Sequence, residues 1–317
     1  MEIFIQILLL ILGFVMLIKG ADWFVDGAAG IARKFGIPSL VIGLTIVAMG
    51  TSAPEAAISI SAAFKGSADI AVGNVVGSNI MNILIILGLT AIITPLAVQK
   101  STIKYEMPFM ILITFVFGLL GLFDNVVGFF DGIILWLLFI AYLAYLFFMA
   151  KKGRAEKEED EENVDIPGRS MPKLIIFGLI GVVLIIFGSN ITVDAASNIA
   201  RTFGMSERFI GLTIVALGTS LPELVTSITA GLKKNADIAI GNIVGSNIFN
   251  ILFVIGTSAL ITPVAYQPQF LFDTIVCVAT AVLLLVCLLN KDKKLKRWAG
   301  ILMLLCYAGY FTYIIMN

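Results

Sequence analysis

Long apolar runs recur from one end of the chain to the other. Examples are residues 3–18, 107–122, 132–150 and 174–188. Runs of about 20 apolar residues have the length that a helix needs to cross about 30 Å of hydrocarbon. The pattern therefore predicts an all-α integral membrane protein.

Ten apolar spans can be counted, five in each half of the chain. They fall at about 3–32, 39–64, 70–96, 105–123 and 128–150, and then at about 174–200, 209–232, 238–262, 271–290 and 298–316. A polar segment between the two groups carries too many charges to enter a membrane. We therefore predict a first five-helix repeat at 1–150, a charged linker at 151–173 and a second five-helix repeat at 174–317.

Two motifs occur twice, each time 168 residues apart. IGLTIVAMGTS at 42–52 returns as IGLTIVALGTS at 210–220, and GNVVGSN at 73–79 returns as GNIVGSN at 241–247. Because each half holds an odd number of spans, the two repeats should have opposite orientations in the membrane. Inverted-topology repeats of this kind are common in secondary transporters.

The basic residues predict the orientation. With the linker inside, seventeen Lys and Arg residues fall in inside loops, and only Lys65, Arg201 and Arg208 fall in outside loops. Cytoplasmic loops of membrane proteins carry an excess of Lys and Arg. This indicates a multi-pass protein of the cell membrane with both termini outside and the linker 151–173 in the cytoplasm.

Composition agrees with this class. The chain of 317 residues is 59% hydrophobic and 13% charged, and its mean hydropathy is +1.04. A soluble protein of this size could not cover so much apolar surface. The absence of His excludes His-based catalysis and the common His-ligated zinc sites.

The second span of each half contains Gly-Thr-Ser-x-Pro-Glu, at 50–55 and 218–223. Proline near glycine weakens a helix, because proline lacks the backbone donor. Each segment also places a carboxylate, Glu55 or Glu223, near mid-membrane, which costs about 2.5–3.5 kcal/mol on insertion scales. No Lys or Arg lies at that depth in the neighbouring spans, so a bound cation is the expected partner. Carboxylate, hydroxyl and carbonyl oxygens suit Ca²⁺ and Na⁺.

The third span of each half adds further oxygen donors. Ser78 and Asn82 are four residues apart and share a helix face, and Ser246 and Asn250 repeat the arrangement. Gly-x-x-x-Gly in the same spans is, on its own, typical of helix packing. Its duplication beside two Glu-bearing segments favours a role in an ion site.

Together these motifs resemble the two α-repeats of the calcium/cation antiporter superfamily, in particular its prokaryotic sodium/calcium exchangers. The resemblance extends over essentially the whole chain. It implies ten transmembrane helices, and exchange of Ca²⁺ for Na⁺ by alternating access, normally extruding Ca²⁺. It also implies that the first and sixth helices slide across the rest. Neither an enzymatic activity nor a cofactor other than the transported ions is implied.

The resemblance further implies a cluster of cation sites between the second, third, seventh and eighth spans. Glu55 and Glu223 would bind Ca²⁺ together with the backbone carbonyls of Thr51 and Thr219. The flanking Na⁺ sites would use the Ala48 carbonyl, Thr51, Ser52 and Ser78 on one side, and the Ala216 carbonyl, Thr219, Ser220 and Ser246 on the other. Asn82 and Asn250 would complete the centre.

Asn250 departs from part of that family, in which several exchangers carry Asp at the matching position. The two glutamates then leave a formal charge of −2, which keeps the ion stoichiometry, the electrogenicity and the coupling ion open. A Ca²⁺/H⁺ antiporter, in which the glutamates take protons, is the main alternative, and a passive cation channel is a more distant one. The expected partners are the ions and the lipid bilayer, with no nucleic acid and no obligatory protein partner.

Other acidic residues have simpler interpretations. Asp69 and Asp237 precede the third and eighth spans, where they are expected to cap helix N-termini. Asp26 and Asp194 are expected to face hydrated interface. Glu106 has Thr274 as its equivalent in the other half and is assigned no role at a cytoplasmic helix start.

Overall fold

The computed structural model describes residues 2–66, 69–160, 170–204 and 216–316. Within these ranges, seven helices are long and apolar enough to cross a membrane, and an eighth qualifies if a bent pair counts as one span. The chain is therefore a helical, multi-pass membrane protein. The predictions made for residues 205–215, which include Arg208 and the start of the second IGLTIVALGTS motif, lie outside the described residues, as do those for 161–169.

The helices of the first half follow one another through short connections. They are α1 (Glu2–Phe35), α2 (Ser39–Ile42), α3 (Ala48–Thr51), α4 (Ala53–Phe64), α5 (Asp69–Met81), α6 (Gly88–Ile93), α7 (Met107–Asp124) and α8 (Phe129–Asp160). Three π-helical segments continue these helices, at Gly43–Val47, Asn82–Leu87 and Thr102–Glu106.

The second half has the same kinds of element in the same order. They are α9 (Met171–Thr202), α10 (Ala216–Thr219), α11 (Leu221–Leu232), α12 (Ala236–Phe249), α13 (Gly256–Ile261), α14 (Gln269–Leu288) and α15 (Arg297–Met316). A π-helical segment at Asn250–Ile255 joins α12 to α13. It corresponds to Asn82–Leu87, 168 residues earlier.

The ends of the described helices match those of the predicted spans to within about three residues, except at the end of the fifth span. The start of the span predicted at 209–232 lies outside the described residues. Helix α8 continues to Asp160, through residues that the sequence assigned to the linker, and α9 begins at Met171. Lys and Glu are good helix formers even though they cannot enter a membrane. A polar stretch can therefore prolong a spanning helix into water, and the end of the apolar run does not mark the end of the helix.

The two spans that carry the repeated GN-x-x-GSN motif form the centre of the protein. Almost all of Ala236–Ile261 and most of Ile70–Ile93 are buried. By contrast, α1, α7, α8, α9 and α14 expose many large apolar side chains, as expected for helices that face lipid. The polar residues of the central spans are therefore enclosed by protein.

Helices α1 and α9 pack against each other along their length. Gly13 lies against Gly188, and Gly20 lies against Gly181. A Cβ added at Gly20 would come within 2.8 Å of the Gly181 carbonyl oxygen. Glycine at these crossings lets the two backbones approach closely, as small residues do in membrane helix pairs.

Four two-residue strands join connections from the two halves. Strand β1 (Leu96–Ala97) pairs with β4 (Lys294–Leu295), and β2 (Val126–Val127) pairs with β3 (Val264–Ala265), both antiparallel. Each strand lies 168 residues from its counterpart, so one pairing reproduces the other with the halves exchanged. The strands are too short to change the all-helical class.

Candidate cation-binding site

The Gly-Thr-Ser-x-Pro-Glu segment bends its helix, as the sequence predicts. Helix α3 ends at Thr51, α4 begins at Ala53, and the two parts meet at an angle of 52°. Pro54 has no N–H and cannot donate to the carbonyl one turn earlier, which weakens the helix at this point. Ser220 separates α10 from α11 in the same way.

Each break places a glutamate in the first turn of the following helix. Glu55 lies in the first turn of α4 and Glu223 in the first turn of α11, where unpaired N–H groups and the helix dipole favour negative charge. Both glutamates are about 1% exposed. The Oε2 atoms of both have no hydrogen-bond partner within the protein. A buried carboxylate oxygen without a partner is costly, so these atoms are suited to accept a cation or a proton.

The two halves meet through these segments. The Ser52 hydroxyl donates a hydrogen bond of 2.7 Å to Glu223 Oε1, and the Thr51 hydroxyl donates one of 2.9 Å to Asn242 Oδ1. The Ser246 hydroxyl donates one of 3.4 Å to the Ala48 carbonyl oxygen. The sequence grouped the Ala48 carbonyl with Thr51, Ser52 and Ser78. In the structure this carbonyl accepts from the Thr51 hydroxyl of its own half at 3.3 Å as well as from Ser246 of the other half.

Four asparagines form a crossed network between the central spans. Asn79 and Asn247 each donate from Nδ2 to the backbone oxygen of the other, at 3.1 Å in both directions. Asn82 Nδ2 donates to Asn247 Oδ1 at 2.9 Å, and Asn250 Nδ2 donates to Asn79 Oδ1 at 3.1 Å. The Oδ1 atoms of Asn82 and Asn250 are buried without a partner.

Asn82 and Asn250 also begin the π-helical segments. Single π-helical turns are rare and occur frequently at functional sites. Helix α4, which carries Glu55, packs against Asn250–Ile255, and α11, which carries Glu223, packs against Asn82–Leu87. The asparagine of each half therefore lies on a segment that packs against the glutamate-bearing helix of the other half.

A second pair of asparagines supports the glutamate backbones. Asn74 Nδ2 donates to Ser59 Oγ at 2.9 Å and to the Glu55 carbonyl at 3.2 Å. Asn242 makes the equivalent bonds, to Ser227 Oγ at 2.9 Å and to the Glu223 carbonyl at 3.4 Å. Sequence reasoning assigned these asparagines no role, although their duplication in GN-x-x-GSN was a signal that could have found them.

The sequence model of the sodium/calcium exchanger protein family matches residues 5–148 and again residues 173–316. This chain belongs to the sodium/calcium exchanger protein family. The family consists of transporters and not of enzymes, in agreement with the sequence prediction.

Full-length relatives of this exchanger family have similar sequences and folds. Sodium/calcium exchanger MaX1 of Methanosarcina acetivorans is 33% identical over 343 residues, covering 97% of this chain and 98% of that protein. Inner membrane protein YrbG of Escherichia coli is 41% identical over 268 residues, covering 82% of this chain and 81% of that protein. The structure of the sodium-calcium exchanger NCX_Mj soaked with zero Na⁺ and Ca²⁺ matches with a TM-score of 0.84 at 32% identity, covering 98% and 99% of the two chains. The resemblance predicted from the motifs is thus confirmed.

This exchanger-family chain uses few charged groups at the site. Among the described residues, no group of three or more His, Cys, Asp or Glu side chains is placed to hold a metal ion. The carboxylates at the centre are Glu55 and Glu223, and the remaining oxygens are neutral. High-affinity Ca²⁺ sites use several charged ligands, and affinity is tuned by their number. The donor set suits an ion that must also be released.

One prediction outside the centre is wrong. Asp237 does not cap α12, whose N-cap is Asn235, and instead accepts a hydrogen bond of 2.7 Å from Gln99 Nε2. Glu106 lies at a helix start, as the N-cap residue of α7, but it is about 1% exposed and accepts a hydrogen bond from the Tyr145 hydroxyl, which the sequence did not indicate. The π-helical segment Thr102–Glu106 precedes α7 and places Glu106 inside the protein. The side chain of Asp69 lies outside the described part of the chain, so its capping role stays a prediction.

Proposed function

We propose that this protein is a secondary active antiporter that exchanges Ca²⁺ for Na⁺ across the cell membrane and normally extrudes Ca²⁺. One observation carries the proposal. Two buried carboxylates, Glu55 and Glu223, each keep one oxygen without a partner in the protein. Membership of the sodium/calcium exchanger protein family supports the same function.

We further propose that the chain forms ten transmembrane helices in two inverted repeats, 1–150 and 174–317. The linker 151–173 would be cytoplasmic and both termini outside. The family match at residues 5–148 and 173–316 supports the division. The mirrored strand pairings and the reciprocal bonds between Asn79 and Asn247 support a two-fold relation between the repeats. Such symmetry lets one site face either side of the membrane.

The proposed ligands are the twelve residues predicted from the sequence. Ca²⁺ would lie between Glu55 and Glu223, with the carbonyls of Thr51 and Thr219. Na⁺ would be held beside it by two sets of oxygens, those of the Ala48 carbonyl, Thr51, Ser52 and Ser78 and those of the Ala216 carbonyl, Thr219, Ser220 and Ser246. Asn82 and Asn250 would complete the centre. The hydroxyl of Ser220 and the Oδ1 atoms of Asn82 and Asn250 are buried and have no partner in the protein, which supports their inclusion.

Charge balance explains why the ions would exchange rather than bind together. The two glutamates carry −2 when ionised, which one Ca²⁺ or two monovalent cations neutralise. Binding Ca²⁺ and the monovalent cations at the same time would leave excess positive charge in a site of low dielectric, which is costly. Moving the site with its bare −2 charge would also be costly. Transport of one ion is therefore coupled to transport of the other.

A Ca²⁺/H⁺ antiporter is the second candidate. The unpartnered Oε2 atoms of Glu55 and Glu223 could hold protons in place of Na⁺. The buried hydroxyls at Ser78 and Ser246 favour Na⁺, because a proton carrier needs no such oxygens around its carboxylates. A passive cation channel is the most distant candidate, since it would not require a countertransported ion.

The test is ⁴⁵Ca²⁺ uptake into liposomes that contain the purified protein. An outward Na⁺ gradient drives one set of vesicles and a pH gradient drives a parallel set. We expect uptake to follow internal Na⁺ and to be abolished by Glu55→Gln or Glu223→Gln. Uptake that does not depend on Na⁺ but follows the pH gradient would identify H⁺ as the coupled ion. Rapid uptake without a cation on the opposite side of the membrane would indicate a channel.

A further inference from the structure

Backbone carbonyl groups determine how the side-chain amides of the asparagine network are oriented. The carbonyl oxygens of Asn79 and Asn247 can only accept hydrogen bonds, so the side chain that meets each of them must present its NH₂ group. The Oδ1 atom of each of these asparagines therefore points away from the carbonyl. In the structure these Oδ1 atoms meet the NH₂ groups of Asn250 and Asn82, at 3.1 and 2.9 Å.

The same hydrogen-bonding argument determines the amide orientation of Asn82 and Asn250. If Asn82 were turned over, its Oδ1 would face Asn247 Oδ1, and two acceptors would meet in a buried space without a proton between them. Its NH₂ group, which carries positive partial charge, would then face the space where its oxygen now lies. Asn82 and Asn250 are at most 1% exposed, so water cannot relieve either conflict. The bonded arrangement leaves both Oδ1 atoms without a protein partner.

We infer that Asn79 and Asn247 are positioning residues that hold Asn250 and Asn82 with their amide oxygens toward the transported ions. Neither contacts an ion in this scheme. Each donates a hydrogen bond to a backbone carbonyl in the opposite half, and its own amide oxygen then accepts one from Asn250 or Asn82. Hydrogen bonds in such a chain polarise one another. The inference rests on the proposed function, because it assigns Asn82 and Asn250 as ligands of the transported cation.

The scheme predicts a specific pattern of coupling between residues. Asn247→Leu keeps the approximate size of the side chain but removes the acceptor for Asn82. We expect Ca²⁺ affinity to fall about 10-fold or more, the range typical of partners that orient a metal ligand. In an Asn82→Asp background the same change should cause no further loss, because a carboxylate presents an oxygen in either orientation.

Asn250→Asp provides the matched control. Asn250 is bonded to Asn79 and not to the Asn247 side chain, so Asn247→Leu should keep its full effect in that background. The mirror cycle, Asn79→Leu with Asn250→Asp, should show the coupling and also serves if Asn247→Leu fails to fold. The readout is equilibrium binding of ⁴⁵Ca²⁺ to purified protein that elutes as a single peak.

The outcomes distinguish a failure of the proposed function from a failure of the positioning role. A wild-type protein that binds no Ca²⁺ would remove the proposed function itself. Wild-type binding combined with equal losses from Asn247→Leu in the native, Asn82→Asp and Asn250→Asp backgrounds would show that Asn247 acts only on general stability. Coupling confined to the bonded pairs would support the positioning role.

An independent observation concerns the long helix α1. Lys233, which follows α11, donates to Asp22 Oδ1 at 2.7 Å, to Asp26 Oδ1 at 2.5 Å and to the Asp22 carbonyl at 2.9 Å. These side chains are partly buried, with 25% of Lys233 exposed. Asp26, expected from the sequence to face hydrated interface, is thus tied to the other half.

The equivalent residues of the other half are arranged differently. Lys65, 168 residues before Lys233, is exposed, and so are Asn190 and Asp194, the counterparts of Asp22 and Asp26. Among the described contacts, neither the Lys65 nor the Asp194 side chain has an ion-pair partner. Because α1 and α9 pack with Gly13 against Gly188 and Gly27 against Gly178, Asp26 and Asp194 lie toward opposite ends of the helix pair.

The geometry points to two alternating sets of ion pairs, here called latches, each of which holds one end of the α1–α9 pair. Lys233 with Asp22 and Asp26 is the closed latch, and Lys65 with Asp194 would close when the pair shifts. This inference also rests on the proposed alternating access. It requires that both latches form in one protein but not at the same time.

Cross-linking tests the latches. In a background with Cys277, Cys287 and Cys306 replaced by Ala, one variant carries Lys233→Cys with Asp26→Cys and another carries Lys65→Cys with Asp194→Cys. A short bifunctional methanethiosulfonate, which forms a disulfide with each cysteine and releases sulfinate, should cross-link both pairs during Na⁺/Ca²⁺ exchange. Each cross-link should stop exchange until its disulfides are reduced. Cross-linking of the first pair alone in an actively exchanging protein would overturn the second latch. Cysteine-free protein that does not exchange with Na⁺ would instead count against the proposed function.

Discussion

Ser52 and Glu223 are 171 residues apart in the chain, yet the Ser52 hydroxyl donates a 2.7 Å hydrogen bond to the Glu223 carboxylate. Its repeat counterpart, the Ser220 hydroxyl, is equally buried but has no hydrogen-bond partner. The two serines, which occupy equivalent positions in the repeats, therefore differ in hydrogen bonding in this conformation. The Ser52 hydroxyl bonds a carboxylate, while the Ser220 hydroxyl makes no hydrogen bond.

This asymmetry predicts different consequences for the same substitution. Ser52→Ala removes a hydrogen bond to a charged group, which contributes about 1.5–3 kcal/mol, and should lower the unfolding temperature of ion-free protein. Ser220→Ala should have a smaller effect, because no bond is lost. Thermal unfolding in detergent with a chelator measures both. An equal decrease in the two variants would contradict the asymmetry.

Ligand removal should reveal the role of the two glutamates. Saturation of a site at about 100 times its dissociation constant stabilises the folded state by about 2.7 kcal/mol, so Ca²⁺ should raise the unfolding temperature of the wild type and a chelator should reverse the increase. Glu55→Gln and Glu223→Gln should abolish this response, since each halves the formal charge of the site. Mg²⁺ serves as the control ion. A full Ca²⁺ response in either variant would place the site elsewhere.

Close packing of α1 and α9 predicts a contrast between two glycines of one helix. A Cβ at Gly181 would lie 2.7 Å from the Gly20 carbonyl oxygen, whereas a Cβ at Gly178 would meet nothing within 4 Å. Gly181→Ala should therefore force the helices apart and reduce both stability and exchange. Gly178→Ala is the matched control, and should be neutral or slightly stabilising because alanine favours the helix. Yield, unfolding temperature and exchange rate of the two variants decide the point.

Much of this organisation could be predicted from the sequence, for reasons that are local. Apolar length defines a span, and Gly and Pro predict the bend at Ser52. The partner of each group could not be predicted in this way. The bond from Asn82 to Asn247 depends on how two helices dock, and Asp237 binds Gln99 because a distant loop reaches it.

The π-helical segments were missed because their sequences, such as the apolar run after Asn82, are ordinary helix formers. Only packing within the protein determines that the helix takes an extra residue there. The same applies to Glu106, which local sequence places at a polar helix start. Its burial follows from the π-helical turn before α7 and from Tyr145 on α8.

The Glu106–Tyr145 pair gives the last prediction. Tyr145→Phe leaves the Glu106 carboxylate buried without this donor, and Glu106 Oε2 already has no partner. An unsatisfied buried group costs about 1–3 kcal/mol, so the variant should unfold at a lower temperature. In a Glu106→Leu background the same change should cost almost nothing, because no carboxylate remains to be satisfied. Thermal unfolding of the four proteins measures the coupling. Equal losses in both backgrounds would mean that Tyr145 stabilises the protein through packing alone.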